Sequence, residues 1–337
     1  MSTCLPVTED VAWLNVDEPA EVGRVRRAAT NLAERLAFPA TRVAEIGLAV
    51  TEIGTNLHKH AGGGQVVVRS VRSTEHAAVE VLALDRGPGI ADVGLAMTDG
   101  QSTTGTLGLG LGAVSRSADR FALSSDLGRG TVLVARFHPR HVPPFDDDGT
   151  TAGLTRAIGG EEQCGDAYAV RRSANRVTLM MCDGSGHGPL AASASREAVR
   201  MFCALPPGPP EAAVARLHEA LRGTRGGAVA VADLDREAGV VRFAGLGNIA
   251  AAVVTRERKH GMVSVPGVAG YQARTVRAFD YALPPGAAVV LHSDGLTERW
   301  TPDDDLVTRP PLVVAAALMR DAGVRRDDAG VLVAVAP

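Results

Sequence analysis

Apolar residues return every three to four positions over residues 19–38 and again over 39–61, with polar residues between them. That period predicts two amphipathic helices. In the second, Val43, Ile46, Val50, Ile53 and Leu57 form the core-facing stripe, so Glu52 and Asn56, four residues apart, project together from a neighbouring face. Short apolar runs at 65–72 and 77–84 predict strands, followed by a glycine-rich stretch, a short helix near 109–118 and strands near 121–124 and 131–137. Residues 138–153, HPRHVPPFDDDGTTAG, have no apolar period and combine prolines with an acidic triplet, the composition of a linker. Beyond it, strands are expected at 167–171, 177–182, 228–234, 240–244, 250–254, 288–292 and 330–335, and helices at 189–203, 210–221 and 311–322. Many strands with few helices between them argue against a regular alternation of strand and helix.

The expected class is α+β in two domains, 1–137 and 153–337, joined by a linker at 138–152. A length of 337 residues agrees with this division. Apolar residues make up 45% and charged residues 22%, enough for ordinary hydrophobic cores. With 35 basic against 38 acidic side chains there is no basic field to gather phosphate backbones, so nucleic acid is not an expected partner. Only Lys59 and Lys259 among the basic residues are lysines. The longest apolar stretch near the C-terminus, 311–319, is far short of the roughly 20 residues of a membrane helix, and no membrane association is expected. Residues 1–10 lack a basic stretch followed by an apolar run, which points to the cytoplasm. Cys4, Cys164, Cys182 and Cys203 include no Cys-x-x-Cys pair, and reduced thiols are expected.

Candidate chemistry in the first half begins with Glu52 and Asn56. An amide oxygen can ligate Mg²⁺ and a carboxylate can accept a proton or position water, although the same pair also suits a plain solvated helix face. Asp85-Arg86-Gly87-Pro88-Gly89 follows a strand; its aspartate can accept from an exocyclic amine, and its glycines let backbone approach a ligand. The run from Gly105 to Gly112 opens a helix, where clustered amides suit a polyphosphate. Gly128-Arg129-Gly130-Thr131 then enters a strand. In this order, over residues 11–137, the motifs resemble the GHKL ATPase superfamily, in particular the RsbT/RsbW-like anti-sigma-factor serine kinases. The resemblance implies an α/β sandwich that binds ATP with Mg²⁺. Asn56 would ligate the metal, Glu52 would be the base and Asp85 would bind adenine. Gly87, Gly89, Gly108, Gly110 and Gly112 would shape the pocket, and Thr131 would support the adenine site. His58 and His60 read as surface or rim residues, and phosphorylation there would instead mark a sensor histidine kinase.

The second half carries aspartates beside small residues: Gly165-Asp166-Ala167-Tyr168, Cys182-Asp183-Gly184-Ser185-Gly186-His187-Gly188, Ser293-Asp294-Gly295 and Asp327-Asp328. Three of these blocks adjoin apolar strands, so the carboxylates can converge at one sheet edge. Convergent carboxylates repel unless cations neutralise them, and oxygen ligands select Mg²⁺ or Mn²⁺, which suggests a two-metal site. These blocks resemble the metal-dependent serine/threonine phosphatases of the SpoIIE/RsbX type over residues 154–336. The resemblance implies a β-sandwich flanked by helices. Asp166, Asp183, Asp294 and Asp327 would hold two Mn²⁺ or Mg²⁺ ions, with the Gly184 carbonyl as another ligand and Asp328 assisting. His187 stands as either a leaving-group acid or a structural residue, and Gly245-Leu246-Gly247-Asn248 reads as a scaffolding turn. Where the family has a small hydroxyl residue within two positions of Asp327-Asp328, this chain has Ala329-Gly330.

Together these readings describe a bacterial signalling protein of a partner-switching pathway, with kinase and phosphatase domains acting on anti-sigma-factor antagonists or stressosome-like scaffolds. The alternative makes the first domain a non-catalytic, ATP-dependent docking module.

Overall fold

The computed structural model describes residues 3–4, 7–73, 76–98, 110–140, 142, 149–159, 161–173, 175–273, 275–303, 305–324 and 326–336. The chain divides into two units, one of residues 6–146 and one of residues 1–5 with 147–337. The first strand, β1 (Thr3–Cys4), therefore precedes one unit in sequence and belongs to the other.

The unit of residues 6–146 starts with β2 (Val7–Asn15) and α1 (Pro19–Arg35). Helix α1 begins in a capping box: the Glu21 carboxylate accepts the Glu18 backbone N–H at 3.1 Å, and Pro19 fits a first turn that needs no N–H there. After it come α2 (Ala40–Asn56), β3 (Gln65–Arg72), β4 (Ala77–Leu84), the single turn α3 (Val93–Ala96), α4 (Gly110–Ser117), β5 (Arg120–Asp126) and β6 (Gly130–Phe137). The strands form an antiparallel sheet in the order β2-β3-β4-β6-β5. Its alternate residues Val66, Val68, Val79, Val81, Leu133 and Ala135 pack with Val25, Leu32, Ile46, Val50 and Ile53 of the helices. Of the expected helical stripe, Ile46, Val50, Ile53 and Leu57 are buried and Val43 lies half-buried at its margin. Strand β2 was not expected from the pattern. Arg42, in the same helix, is fully buried; its guanidinium donates to the carbonyls of His138 (3.0 Å) and Ser117 (2.8 Å) and to Asp119 (2.5 Å). The start of the segment read as linker is thus fixed at His138.

The other unit adds β7 (Thr151–Arg156), β8 (Asp166–Arg172), β9 (Arg176–Gly184), α5 (Pro189–Ala204), α6 (Pro210–Ala220), β10 (Gly227–Asp235), β11 (Val240–Leu246) and β12 (Ala250–Val254). Then follow β13 (Lys259–Met262), β14 (Gly267–Val268), β15 (Gln272–Ala273), β16 (Phe279–Ala282), β17 (Ala288–His292), α7 (Pro311–Ala322) and β18 (Ala329–Val335). Two antiparallel sheets, β1-β8-β9-β10-β11-β16 and β13-β12-β17-β18-β7, enclose a core of Leu179, Met181, Ala230, Phe243, Val253, Val289, Leu291 and Leu332. Helices α5 and α6 cover the outside of the first sheet through Ala194, Phe202, Val214 and Leu217; α7 covers β18 and β7 of the second. This is a sandwich of two sheets between helices. Strand β7 begins at Thr151, inside the stretch read as linker.

One expectation is corrected. Cys4 and Cys203 form a disulfide, with Cα atoms 5.8 Å apart; Cys164 and Cys182 are free thiols. The pairing of β1 with β8 puts Cys4 opposite Arg171, on the sheet that α5 covers. A proximity made by folding across 199 residues leaves no trace in cysteine spacing.

Candidate functional site

The unit of residues 6–146 gathers its polar candidates at the ends of α2, β4 and β6. Helix α2 runs into a π turn at Leu57–Ala61, a widening often found at functional positions. Glu52 and Asn56 are both half-buried, just before it. His58 places Nδ1 3.1 Å from the Asp17 carbonyl, while Lys59 and His60 are exposed. Asp85 is buried where β4 stops, and its Oδ1 accepts the backbone N–H groups of Gly87 (2.8 Å) and Thr131 (3.1 Å). Thr131 Oγ1 is 2.8 Å from Ser125 Oγ, which takes the Ile90 N–H at 2.7 Å. Asp85, Gly87 and Thr131 are therefore one hydrogen-bonded group.

A side chain at Gly87 would put Cβ 2.6 Å from the Ala61 Cα, so glycine is what allows this loop to lie against the turn that follows Asn56. At Gly112 a Cβ would come 2.3 Å from the Met97 carbonyl oxygen. Gly89 lies in the same loop as Gly87, and Gly110 opens α4. Gly108 lies outside the described residues. The buried carboxylate at a strand end, together with a helix entered through Gly110, fits a nucleotide with an amino base and phosphates.

In the other unit the acids come together by strand pairing. Asp166 opens β8 directly opposite Asp183 on β9; Asp294 follows β17 by two residues, and Asp327 and Asp328 immediately precede β18, the neighbour of β17. Asp166 is 4% exposed. Its Oδ2 accepts the Ser293 hydroxyl at 2.5 Å, and Ser293 Oγ in turn accepts the Gly330 N–H at 2.9 Å. Asp166 Oδ1 is buried without a hydrogen-bond partner. Asp294 Oδ2 accepts from Asn248 Nδ2 at 2.7 Å. Asp328 accepts the N–H of Ile158 at 2.7 Å on one oxygen and that of Gly165 at 2.9 Å on the other, and Asp327 Oδ1 accepts the Asp328 N–H at 2.9 Å.

The acids repel one another. Burial and then the Asp183 charge raise Asp166 well above the usual carboxylate range, against the Ser293 hydrogen bond. Burial and the charges of Asp294, Asp327 and Asp328 push Asp183 to about 7. Asp294 is raised by burial and by Asp327; Asp328 is raised by burial, with its two backbone donors opposing. Among the described residues no three His, Cys, Asp or Glu side chains stand as a ready-made metal cluster, and Asp166, Asp294 and Asp328 are hydrogen-bonded to Ser293, Asn248 and the backbone. The donor set nevertheless fits hard cations: all its ligating atoms are oxygens, and a buried carboxylate oxygen without a partner needs a counter-charge. Gly184, expected to offer its carbonyl, ends β9 and is buried beside Asp183. His187 is exposed, with Nδ1 3.0 Å from Glu161 Oε1.

Comparison with known proteins adds family to this geometry. The family described as histidine kinase-like ATPase domain matches residues 16–137, and the stage II sporulation protein E (SpoIIE) family matches residues 173–334. The chain is 36% identical over 115 residues to the serine/threonine-protein kinase RsbT of Bacillus subtilis (strain 168), covering 34% of this chain and 86% of that protein. The chain belongs to the RsbT family. It also carries a SpoIIE-type serine/threonine phosphatase domain, so this RsbT-like protein has the domain architecture of partner switching, and its two domain types are those that work with ATP and with divalent metal ions. A solved chain from work on "The bacterial stressosome: a modular system that has been adapted to control secondary messenger signaling" is 30% identical. That match covers 55% of this chain and 98% of the solved one, with a TM-score of 0.51. Asp166 lies just before the span matched to SpoIIE, and Asp183, Gly184, Asp294, Asp327 and Asp328 lie within it. Among the described residues no helix is long and apolar enough to cross a membrane.

Asn248, Ser293 and Glu161 were missed by sequence reasoning. Asn248 had been read as scaffold, yet it bonds directly to Asp294. Its signal was an amide at a glycine-rich turn between two apolar strands, β11 and β12. Ser293 adjoins Asp294, and its position two residues after Leu291 on a strand directs it toward the same interior.

Proposed function

We propose that this RsbT-like protein sets the phosphorylation of serine or threonine on partner-switching proteins in the cytoplasm, such as an anti-sigma-factor antagonist or a stressosome-like scaffold. The phosphatase unit would remove phosphate and the RsbT-like unit would transfer it from ATP. The observation that carries the phosphatase reading is the convergence of Asp166, Asp183, Asp294, Asp327 and Asp328 from four separate places in the chain, with Asp166 Oδ1 buried and without a hydrogen-bond partner.

Asp166, Asp183, Asp294 and Asp327, with the Gly184 carbonyl, would hold two Mn²⁺ or Mg²⁺ ions. Such a pair supplies an ionised water near neutral pH and neutralises phosphoryl charge. Ser293 and Asn248 orient Asp166 and Asp294 through the hydrogen bonds described above. Asp328, with both oxygens on backbone N–H groups, fixes the approach of Ile158 and Gly165 to β18 and assists the ligands by charge. His187, exposed and hydrogen-bonded to Glu161, would be the group that gives a proton to the leaving serine oxygen. In the RsbT-like unit Asn56 would hold Mg²⁺, Glu52 would take the acceptor's proton, and Asp85 and Thr131 would bind adenine beside Gly87, Gly89, Gly110 and Gly112.

Hydrolysis of p-nitrophenyl phosphate tests the phosphatase: it should require Mn²⁺ or Mg²⁺, stop with chelator and be lost in Asp183→Ala. Undiminished turnover in that variant refutes the assignment. Transfer of labelled phosphate from ATP to an antagonist protein, lost in Glu52→Ala with ATP affinity retained, tests the kinase; ATP binding without transfer to any such protein favours the docking module.

A further inference from the structure

The outer face of the sheet β13-β12-β17-β18-β7 is unevenly covered. Helix α7 lies over β18 and β7, while toward β12 and β13 the outward positions are Ala250, Ala252 and Gly261, which carry little or no side chain. A cavity of about 230 Å³ occupies this place, and its wall is completed by Glu298 and Trp300 from the chain that follows Asp294.

The wall is built with polar precision. Lys259, one of two lysines in the chain, donates from Nζ to the carbonyls of Glu298 (2.6 Å) and Trp300 (3.0 Å), and its ammonium lies 4.1 Å from the centre of the Trp300 ring. Trp300 Nε1 donates to Nε2 of the buried His292 at 3.2 Å, and His292 Nδ1 donates to the Ser293 carbonyl at 2.8 Å. The indole is thereby fixed by two partners. An ammonium has three N–H donors; two of those of Lys259 go to carbonyls, and the third has no oxygen or nitrogen acceptor among the described residues, so it can take one from a ligand beside the Trp300 ring. Asn248 joins this cavity to the acid cluster, because it lines the cavity and bonds to Asp294.

We propose that the cavity receives the side chain of a residue flanking the substrate's phosphoserine or phosphothreonine, and that this side chain is one with a carbonyl oxygen acceptor, Asn, Gln, Asp or Glu, for Lys259. This rests on the phosphatase reading. A residue next to the phosphorylated one is at most about 3.6 Å further along an extended chain, so a phosphate at the acids leaves its neighbour beside Asn248. A basic flanking side chain meets the Lys259 charge, and alanine leaves the third N–H without a partner.

The test uses pentapeptides Ala-Ala-phosphoSer-Xaa-Ala and Ala-Xaa-phosphoSer-Ala-Ala, with Asn, Asp, Ala or Arg at Xaa, alongside p-nitrophenyl phosphate. The parent should favour Asn or Asp over Ala and Arg by about tenfold in kcat/KM in one of the two series, carried by KM. Lys259→Met and Gly261→Leu should each erase that preference, lowering the peptide-to-small-ester ratio of kcat/KM about tenfold. No atom lies within 4 Å of a Cβ built on Gly261, so the leucine has room to begin and then fills the cavity. Independently, Mg²⁺-loaded Trp13→Phe protein should show a Trp300 fluorescence change on binding the unphosphorylated Asn or Asp peptide, which it does not turn over, and Gly261→Leu should remove that change. Equal kcat/KM for all flanking residues in the parent, or an equal loss on peptide and small ester in both variants, overturns the proposal. If neither substrate is hydrolysed, the phosphatase reading has failed; the fluorescence titration still decides the cavity, and equal responses to the Asn, Asp and Ala peptides reject it.

Discussion

Glu80 sits in the middle of β4, 1% exposed, between its cross-strand partners Arg69 on β3 and Arg136 on β6. Both guanidinium groups reach its carboxylate at 2.7 Å through Nε. Burial alone would raise the carboxyl pKa, but the charges of Arg136 and Arg69 outweigh it and bring the group from an ordinary 4.5 to about 2. At about 1.4 kcal/mol for each tenfold change in acidity, the ionised form contributes about 3 kcal/mol to folding. The Glu80→Gln variant keeps the shape but removes the buried negative charge that both guanidinium groups reach, and breaking a buried ion pair from one side costs about 3–5 kcal/mol. Two routes thus give the same size. Between pH 4.5 and about 2 the unfolded chain binds more protons, so stability rises with pH across that window, is complete above it and is lost below it. Urea unfolding of the full chain, followed by Trp13 of β2 in a Trp300→Phe background, reads this unit. The gap between parent and Glu80→Gln should be about 3–5 kcal/mol at neutral pH and shrink as the pH falls through the window. A gap under about 1 kcal/mol, the range of an exposed pair, or one that is constant with pH, refutes the reasoning. Asp85 follows the end of β4, five residues from Glu80, so loss of ATP binding in this variant should follow the unfolded fraction and not exceed it.

The acids of the phosphatase unit give a second pH effect of opposite sign. With metal stripped, the raised Asp183 means that the folded state holds more protons between the ordinary carboxylate range and about 7, so the melting temperature should fall as pH rises through that range. Added Mn²⁺ should raise the melting temperature more above pH 7 than below it; equal gains at both would count against convergence of these acids on a cation. Asn248→Ala frees Asp294, and should weaken metal affinity by about 10- to 100-fold in a calorimetric titration while leaving ATP affinity unchanged. Reducing Cys4–Cys203, or replacing both by serine, should destabilise the phosphatase unit by about 2–4 kcal/mol in urea, and an unchanged midpoint in Trp300 fluorescence would deny the bond a stabilising role.

Much of the fold could be read from apolar spacing because both units are built from strands and helices that bury one side. The short apolar runs at 65–72 and 77–84 reproduce β3 and β4, and the helical pattern at 311–322 reproduces α7. What failed to show were elements whose stability comes from their neighbours. Strand β2 carries acids at Glu9 and Asp10 and pairs along an edge with a register shift between Asp10 and Ala12, so its residues do not alternate cleanly. Strand β1 is two residues long and exists through β8. Buried arginines mislead in the other direction: Arg42 reads as polar surface, but its four acceptors come from 138, 117, 119 and 45, which no local pattern brings together.

The site divides along the same physical line. Aspartates at strand ends are legible because a glycine or another small residue beside an acid after an apolar run marks the place where a strand opens to solvent, and antiparallel pairing then brings such ends together. The supports are not legible, since each comes from a strand other than the one it serves. The missing hydroxyl after Asp327-Asp328 shows this most clearly. With Ala329 and Gly330 in those positions the chain offers no side-chain donor there, and yet Ser293 from β17's end accepts the Gly330 N–H and donates to Asp166. A Cβ at residue 330 would come 3.1 Å from Asp166 Oδ2, so glycine keeps that oxygen within reach of Ser293. Ser293→Ala should therefore leave Asp166 with both oxygens lacking a hydroxyl donor, raise its pKa further and weaken metal binding. Added back at residue 330, a serine should not restore it, because its Cβ crowds the oxygen that its hydroxyl would have to serve. Recovery of metal affinity in Ser293→Ala/Gly330→Ser would show that the hydroxyl can come from either strand and that its origin in β17 is incidental.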